Sequence, residues 1–315
     1  MTGGPRVAVL TVALVRDDDE RALLELQLAR LRRHTAGPLA IHMVARRVPT
    51  DVRAWLDEQA DVQLLDPPAA TDTGSREHAV YLDALLTAAR ATDATHFATF
   101  DLDSFPIADD WLGRATAMLP PGAGVAAVLR RENGDVCLPH PSGTVLTRAF
   151  VEAHAVSFSP DSDGTPAFRR FLRESGQRAD TGIRLARTLW TESLPWAPLL
   201  RTNAVDVHPV IAGIYGDCFF HLGAGSRVAL FRADLAGSTV HRLTRPIERV
   251  PVGHGRARTA KQRLLTTLRR PAEARRIAAN RTAAERALAA LLADPDAFVA
   301  RLRGRGPEPA PDTVG

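Results

Sequence analysis

The sequence has almost no lysine. Of its 40 basic residues 39 are arginine, and Lys261 stands alone. Mechanisms that need a lysine nucleophile or Schiff base therefore have one candidate. Cysteine is nearly as scarce. Cys137 and Cys218 make no disulfide framework, so a reduced, cytoplasmic protein is the expectation. No apolar run approaches the roughly 18–20 residues of a spanning helix. The apolar stretch near the start, VAVLTVALV, runs into four acids and lacks a basic lead and a small-residue cleavage pattern, so it reads as a strand rather than a signal peptide. Zinc-finger spacing, aromatic ribonucleoprotein motifs and a basic region followed by heptads are all missing, and no nucleic-acid partner is expected.

What is present is a chain of 315 residues, 45% hydrophobic, enough for one large domain or a domain plus an appendage. Apolar periodicity predicts strands at 7–15, 37–46, 62–66 and 95–103, separated by helices at 20–34, 50–60 and 75–90. Thr50 and Ser75 are the expected caps of the second and third helices. A βαβαβαβ order implies an α/β fold with a mostly parallel sheet and helices on both faces. A short helix at 109–119 and a fifth strand at 124–130 follow. Beyond 130 the pattern is irregular, with two helices expected near 165–176 and 180–190. Trp190 and Trp196 fit either a stacking platform for a sugar or plain core packing.

The stretch THFATFDLDSFPIADDWL, 95–112, carries the chemistry. An apolar strand there ends in Asp101 and Asp103. Residues i and i+2 of a strand share a face, and two close carboxylates repel unless a cation lies between them. A divalent metal satisfies both and also accepts diphosphate oxygens. In open parallel sheets ligands collect at the carboxyl ends of strands, which is where this pair falls.

Three βα units followed by an apolar strand, Asp-x-Asp, a proline and a short Trp-Leu helix resemble the GT-A nucleotide-sugar-dependent glycosyltransferases, in their family-2-like branch. The resemblance spans roughly residues 6–230 and is clearest at 95–112 and 215–227. It implies a GT-A-like fold, a nucleoside diphosphate sugar donor, and Mn2+ or Mg2+ held by Asp103, Asp101 and His221. The segment YGDCFFHLGAGSR, 215–227, supplies that histidine, glycines that let backbone approach phosphate, and Arg227 for the donor. Arg76 and His78, opening the helix before the Asp-x-Asp strand, are further expected donor contacts. RADTGIRLARTL, 178–189, resembles the acidic helix start of inverting members, and Asp180 is the expected general base; an acid there also fits a plain N-cap. The family often carries an acidic pattern after the second strand; here that place reads ARRVPTD.

FDLDSF also resembles the first motif of haloacid-dehalogenase phosphatases, with Asp101 as nucleophile, although that motif normally ends a first strand. A non-catalytic, nucleotide-binding GT-A-like domain is the remaining alternative. The expected organisation is a GT-A domain over 1–255, a basic helical extension over 256–303 and a disordered tail over 304–315. The basic extension fits either docking on its own domain or a peripheral contact with the inner membrane face. The acceptor is unspecified, soluble or lipid-linked.

Overall fold

The computed structural model describes residues 5–68, 73–161, 164–223, 230–251 and 256–305. Gly225, Arg227 and the tail from 306 onward lie outside the described residues, with the expectations attached to them. The chain begins β1 (Val7–Ala13), α1 (Asp18–His34), β2 (Leu39–Ala45), α2 (Thr50–Asp57), β3 (Val62–Leu64), α3 (Ser75–Arg90) and β4 (His96–Phe100). Then come β5 (Ser104–Pro106), α4 (Trp111–Ala117), β6 (Val125–Val128), β7 (His140–Thr147), α5 (Arg148–Ala153), α6 (Pro166–Ser175), α7 (Ile183–Thr191) and β8 (Ala197–Leu199). The last elements are β9 (Gly213–Tyr215), β10 (Phe219–His221), α8 (Arg232–Gly237), α9 (Thr239–Arg249), α10 (Arg256–Ala293) and α11 (Pro295–Leu302).

Among the described residues the main sheet has the order β3-β2-β1-β4-β7-β6-β8. β7 alone runs against the rest, being antiparallel to both β4 and β6. The fold class is therefore the expected one, α/β with a mostly parallel sheet. Alternating strand residues feed two cores. Val7, Val9, Ile41 and Met43 meet Leu24, Leu28 and Leu31 of α1, Leu56 of α2 and Trp111 of α4. Ala8, Leu10 and Val44 meet Leu82 and Leu85 of α3, Phe150 of α5 and Leu185 of α7. Helices thus cover both faces, as strands buried on both sides require. Trp190 leans on Phe171, and Trp196 packs partly buried against the second core; neither borders the cleft described below.

α1 shows how local sequence sets an element. The Asp17 carboxylate accepts the Glu20 N–H at 2.9 Å. Three acids fill the first turn and Arg32, Arg33 and His34 the last, which suits the helix dipole. Two expected caps fail. α2 starts behind Pro49 and α3 behind Gly74, whose φ is 73°; among the described residues neither helix has a side-chain cap, and Ser75 is the first residue of α3. The fourth strand stops at Phe100, two residues before Leu102, and the Asp-x-Asp segment is a turn.

A second, three-stranded antiparallel sheet, β5-β10-β9, stands at the carboxyl ends of the main strands. It faces a third core in which Phe105, Ile107, Phe220 and Leu222 meet Ala287 and Leu291 of α10 and Phe298, Val299 and Leu302 of α11. The far end of the C-terminal helical segment thus packs into the body, and its start packs against α9. No helix of the described residues is long and apolar enough to cross a membrane. Leu291 is fully buried. Leu291→Ala should lower stability by about 2–5 kcal/mol, read from urea denaturation; an unchanged midpoint would mark these helices as an appendage.

Candidate metal and donor site

The turn after β4 is built by backbone acceptance. The Asp101 carbonyl takes the Ser104 N–H at 2.9 Å, the Ser104 hydroxyl at 2.9 Å and the Gln27 amide at 2.6 Å. Gln27, a fully buried polar residue on α1, also donates to the Ser104 carbonyl at 2.9 Å. A buried amide must find such partners, and these fix the turn against α1. Asp101 and Asp103 therefore meet because a turn folds them together, and not because a strand gives them one face.

β10 supplies the third group. Its antiparallel register sets His221 opposite Ser104, and Leu222 N–H donates to the Asp103 carbonyl at 2.9 Å. Gly223 N–H donates to Asp103 Oδ2 at 3.1 Å. Phe105 stacks on Phe220 at 5.1 Å, and Phe100, Trp111 and Phe219 meet edge to face behind the turn. His221 Nε2 lies 3.5 Å from Asp103 Oδ1 and 4.0 Å from Asp101 Oδ2. One donor atom from each of the three residues falls within 4.8 Å of the others.

Two more histidines face Asp101. His78 Nε2 is 3.6 Å from its Oδ1, and His140 Nδ1 is 3.9 Å from its Oδ2. Asp101 Oδ1 is buried and has no hydrogen-bond partner among the described residues. Burial pushes the Asp101 carboxyl above its ordinary range; His78 and His221 pull it back, and Asp103 adds to the rise. His140, stacked on His221 at 5.7 Å, is held well below the usual imidazole value, first by burial and then by Arg130. Its Nδ1 accepts the Ser142 N–H at 3.2 Å, which leaves the proton of the neutral ring on Nε2.

The residues fit a divalent ion. Two carboxylates and an imidazole are the donors that Mg2+ and Mn2+ accept. Two ligands of one such ion at about 2.1 Å stand no more than about 4.2 Å apart, close to the separations found. Among the described residues Asp101 Oδ1 is an acceptor left without a donor.

These groups floor a cleft of about 770 Å³ at the carboxyl ends of β1, β2 and β4. There the strand order departs to either side of β1, as at the ligand crevice of open α/β sheets. Arg16, Arg46 and Arg47 line its other side. Arg46 and Arg47 each stand 3.3 Å from the Glu77 carboxylate, which also accepts the Tyr81 hydroxyl at 2.9 Å; Arg16 pairs with Glu20. Asp180 lies across the cleft with about a third of its side chain exposed. It precedes α7 without capping it, since Gly182, at φ 94°, is the N-cap. A Cβ on Gly182 would come within 2.7 Å of the Pro139 carbonyl. Asp180 Oδ1 accepts from the Ser75 hydroxyl at 3.1 Å and the Thr181 N–H at 2.8 Å. Its Oδ2 is 3.7 Å from Arg130, a side chain 14% exposed that also binds Asp135 at 2.9 Å.

Of the expected site residues, the cleft brings together Asp101, Asp103, His221, His78 and Asp180. Arg76 is not brought in: its guanidinium pairs with Asp161 at 2.7 Å, and it does not border the cleft. Arg227 lies outside the described residues. Sequence reasoning missed Arg16, Arg46, Arg47, Arg130 and His140. The arginine pair in ARRVPTD, placed directly after the second strand, was the available signal for two of them.

No protein-family model matches the chain, and no curated protein matches it in sequence. Solved structures similar to it include mouse xyloside xylosyltransferase 1 in its apo form, 13% identical, with a TM-score of 0.38 over 62% of this chain and 84% of that one. The galactosyltransferase LgtC in complex with donor and acceptor sugar analogs is 11% identical, with a TM-score of 0.36 over 58% of this chain and 70% of that one. An active-site mutant of LgtC matches to the same extent.

A raised carboxyl in the fold is unfavourable to stability once it ionises. Asp101 contributes fully below its unfolded value, and that contribution is lost as pH rises through the folded one. In metal-free buffer at neutral pH, Asp101→Asn should therefore melt above the parent. The gap should close below about pH 4, near the unfolded carboxylate value. A variant less stable than the parent at pH 7 would contradict this.

Proposed function

We propose that the cleft transfers a hexosyl group from a nucleoside diphosphate sugar to an acceptor hydroxyl, with Mn2+ or Mg2+ held by Asp103, Asp101 and His221. The observation that carries this reading is the convergence of those three groups beside an arginine-lined wall at the strand ends. A diphosphate needs positive charge on more than one side. Arg46, Arg47 and Arg16 offer it from the wall, and their acidic partners Glu77 and Glu20 fix the guanidinia in place. Arg46 and Arg47 thereby take the role first expected of Arg76. When bound, the ion offsets the charge that develops on the departing diphosphate.

Asp180 acts as the base. Its carboxylate takes the proton of the acceptor hydroxyl, whose oxygen bonds to the anomeric carbon. The bond from that carbon to the diphosphate oxygen breaks, and its electron pair leaves with the diphosphate. Attack from the side opposite the leaving group inverts the anomeric centre. Ser75 and Thr181 hold the carboxylate by hydrogen bonds, and the Arg130 guanidinium stands 3.7 Å from its other oxygen. The acceptor, soluble or lipid-linked, enters on the Asp180 side.

The phosphatase alternative finds less support. It needs a basic partner, usually lysine, beside the nucleophilic aspartate. Lys261 instead donates to the carbonyls of Glu248 and Val250, on α9 and just beyond it. A non-catalytic binder is separated by turnover: slow metal-dependent hydrolysis of a nucleoside diphosphate sugar marks an enzyme.

Two variants test the assignment. Asp103→Ala should abolish the Mn2+-dependent thermal stabilisation by nucleoside diphosphates, a shift worth about 2.7 kcal/mol at 100 times Kd in the parent; a retained shift would falsify the metal assignment. Asp180→Asn should lower kcat by about 10²-fold or more with donor Kd unchanged, and the parent's product should show inverted anomeric configuration by NMR. Full turnover in that variant would place the base elsewhere.

A further inference from the structure

α9 and α10 form an antiparallel hairpin. His241 Nε2 is 3.1 Å from Glu273 Oε1, Arg269 donates to Thr244 Oγ1 at 2.8 Å, and Lys261 donates to the Glu248 and Val250 carbonyls. The seam buries Thr244 and Leu265. Turning about 100° per residue from those two positions puts Leu243, Val250, Leu264 and Leu268 on one and the same side of the pair. That side is wet: the four side chains are 73%, 54%, 49% and 44% exposed. The stripe is not scattered surface leucine of the ordinary kind, because two helices align it.

Charge and composition select what covers it. Residues 239–276 hold eleven lysines and arginines against Glu248 and Glu273, an excess more than twice the whole chain's net +4. A second copy of this hairpin would bring like charge to like charge. A nucleic acid would leave the leucines uncovered, and the segment has no Phe, Tyr or Trp on which bases stack. An anionic lipid surface satisfies both features, apolar boundary for the leucines and phosphate or carboxylate headgroups for the arginines.

We propose that the α9–α10 hairpin docks the protein on an anionic lipid bilayer, with Leu243, Leu264 and Leu268 at the acyl boundary and Arg242, Arg263 and Arg275 at headgroup depth. On the transferase reading this sets the acceptor side of the chemistry near a lipid surface, but the docking stands without that reading. The side chains involved are exposed, so their substitution leaves the three cores and the cleft intact.

The test is co-sedimentation of the full chain with phosphatidylcholine vesicles, alone or with roughly a third phosphatidylserine, without donor or metal. The chain should pellet with the anionic vesicles only, and less as salt rises. Arg242→Gln and Arg263→Gln should each lower the partition roughly fivefold. Leu264→Ser with Leu268→Ser should lower it further at an unchanged melting temperature. The proposal is overturned if the full chain stays in the supernatant, pellets equally with neutral vesicles, or pellets undiminished with both leucines replaced. It is overturned equally if those leucines govern self-association or RNA binding instead. Because no donor is present, either result leaves the assignment of the cleft standing.

Discussion

Three residues of β10, paired antiparallel with three of β5, return the distant part of the chain to the end of β4. Without that pairing His221 has no reason to be near Asp101 or Asp103, and the Asp103 carbonyl and carboxylate lose the Leu222 and Gly223 N–H groups. Strands so short do not hold by hydrogen bonds alone. Their side chains do the rest. Phe219 faces Phe100 and Trp111 on the sheet side, while Phe220 faces Phe105 and Phe298 on the other. The C-terminal helices, through Leu291, Phe298 and Leu302, thus brace the strand that carries the histidine.

The site gathers charge in a place that resists it. Three histidines and a second carboxylate crowd Asp101, whose Oδ1 finds no donor among the described residues. A fold stable by only about 5–15 kcal/mol tolerates such strain where binding removes it, and on the proposed reading a divalent ion between the carboxylates would do so. Asp180 shows a contrasting arrangement: a hydroxyl and a backbone N–H donate to its carboxylate, and the Arg130 guanidinium stands 3.7 Å away.

What the sequence made legible is what local pattern controls. Helices and strands up to β4 follow from apolar spacing, and Asp101 and Asp103 stand out because an apolar strand leads into them. The reversed direction of β7 and the pairing of β10 with β5 did not stand out; pairing Ser104 with His221 links residues more than a hundred positions apart. Local pattern alone reads the turn at 101–103 as strand, since Gln27, which pins it, lies 74 residues away. Its position at a helix start points Arg76 to the donor side, yet its guanidinium pairs with Asp161, 85 residues on. Arginine reach is decided by such partners, so composition alone could not separate Arg46 and Arg47 from Arg76.

The central claim is that β10 completes a divalent-ion site on the turn after β4. Crystals soaked in Mn2+ with a nucleoside diphosphate test it through the manganese anomalous signal. The account predicts one strong peak within about 2.5 Å of carboxylate oxygens of Asp101 and Asp103 and of His221 Nε2. A peak elsewhere in the cleft, or diphosphate bound there with no manganese at these residues, would contradict it.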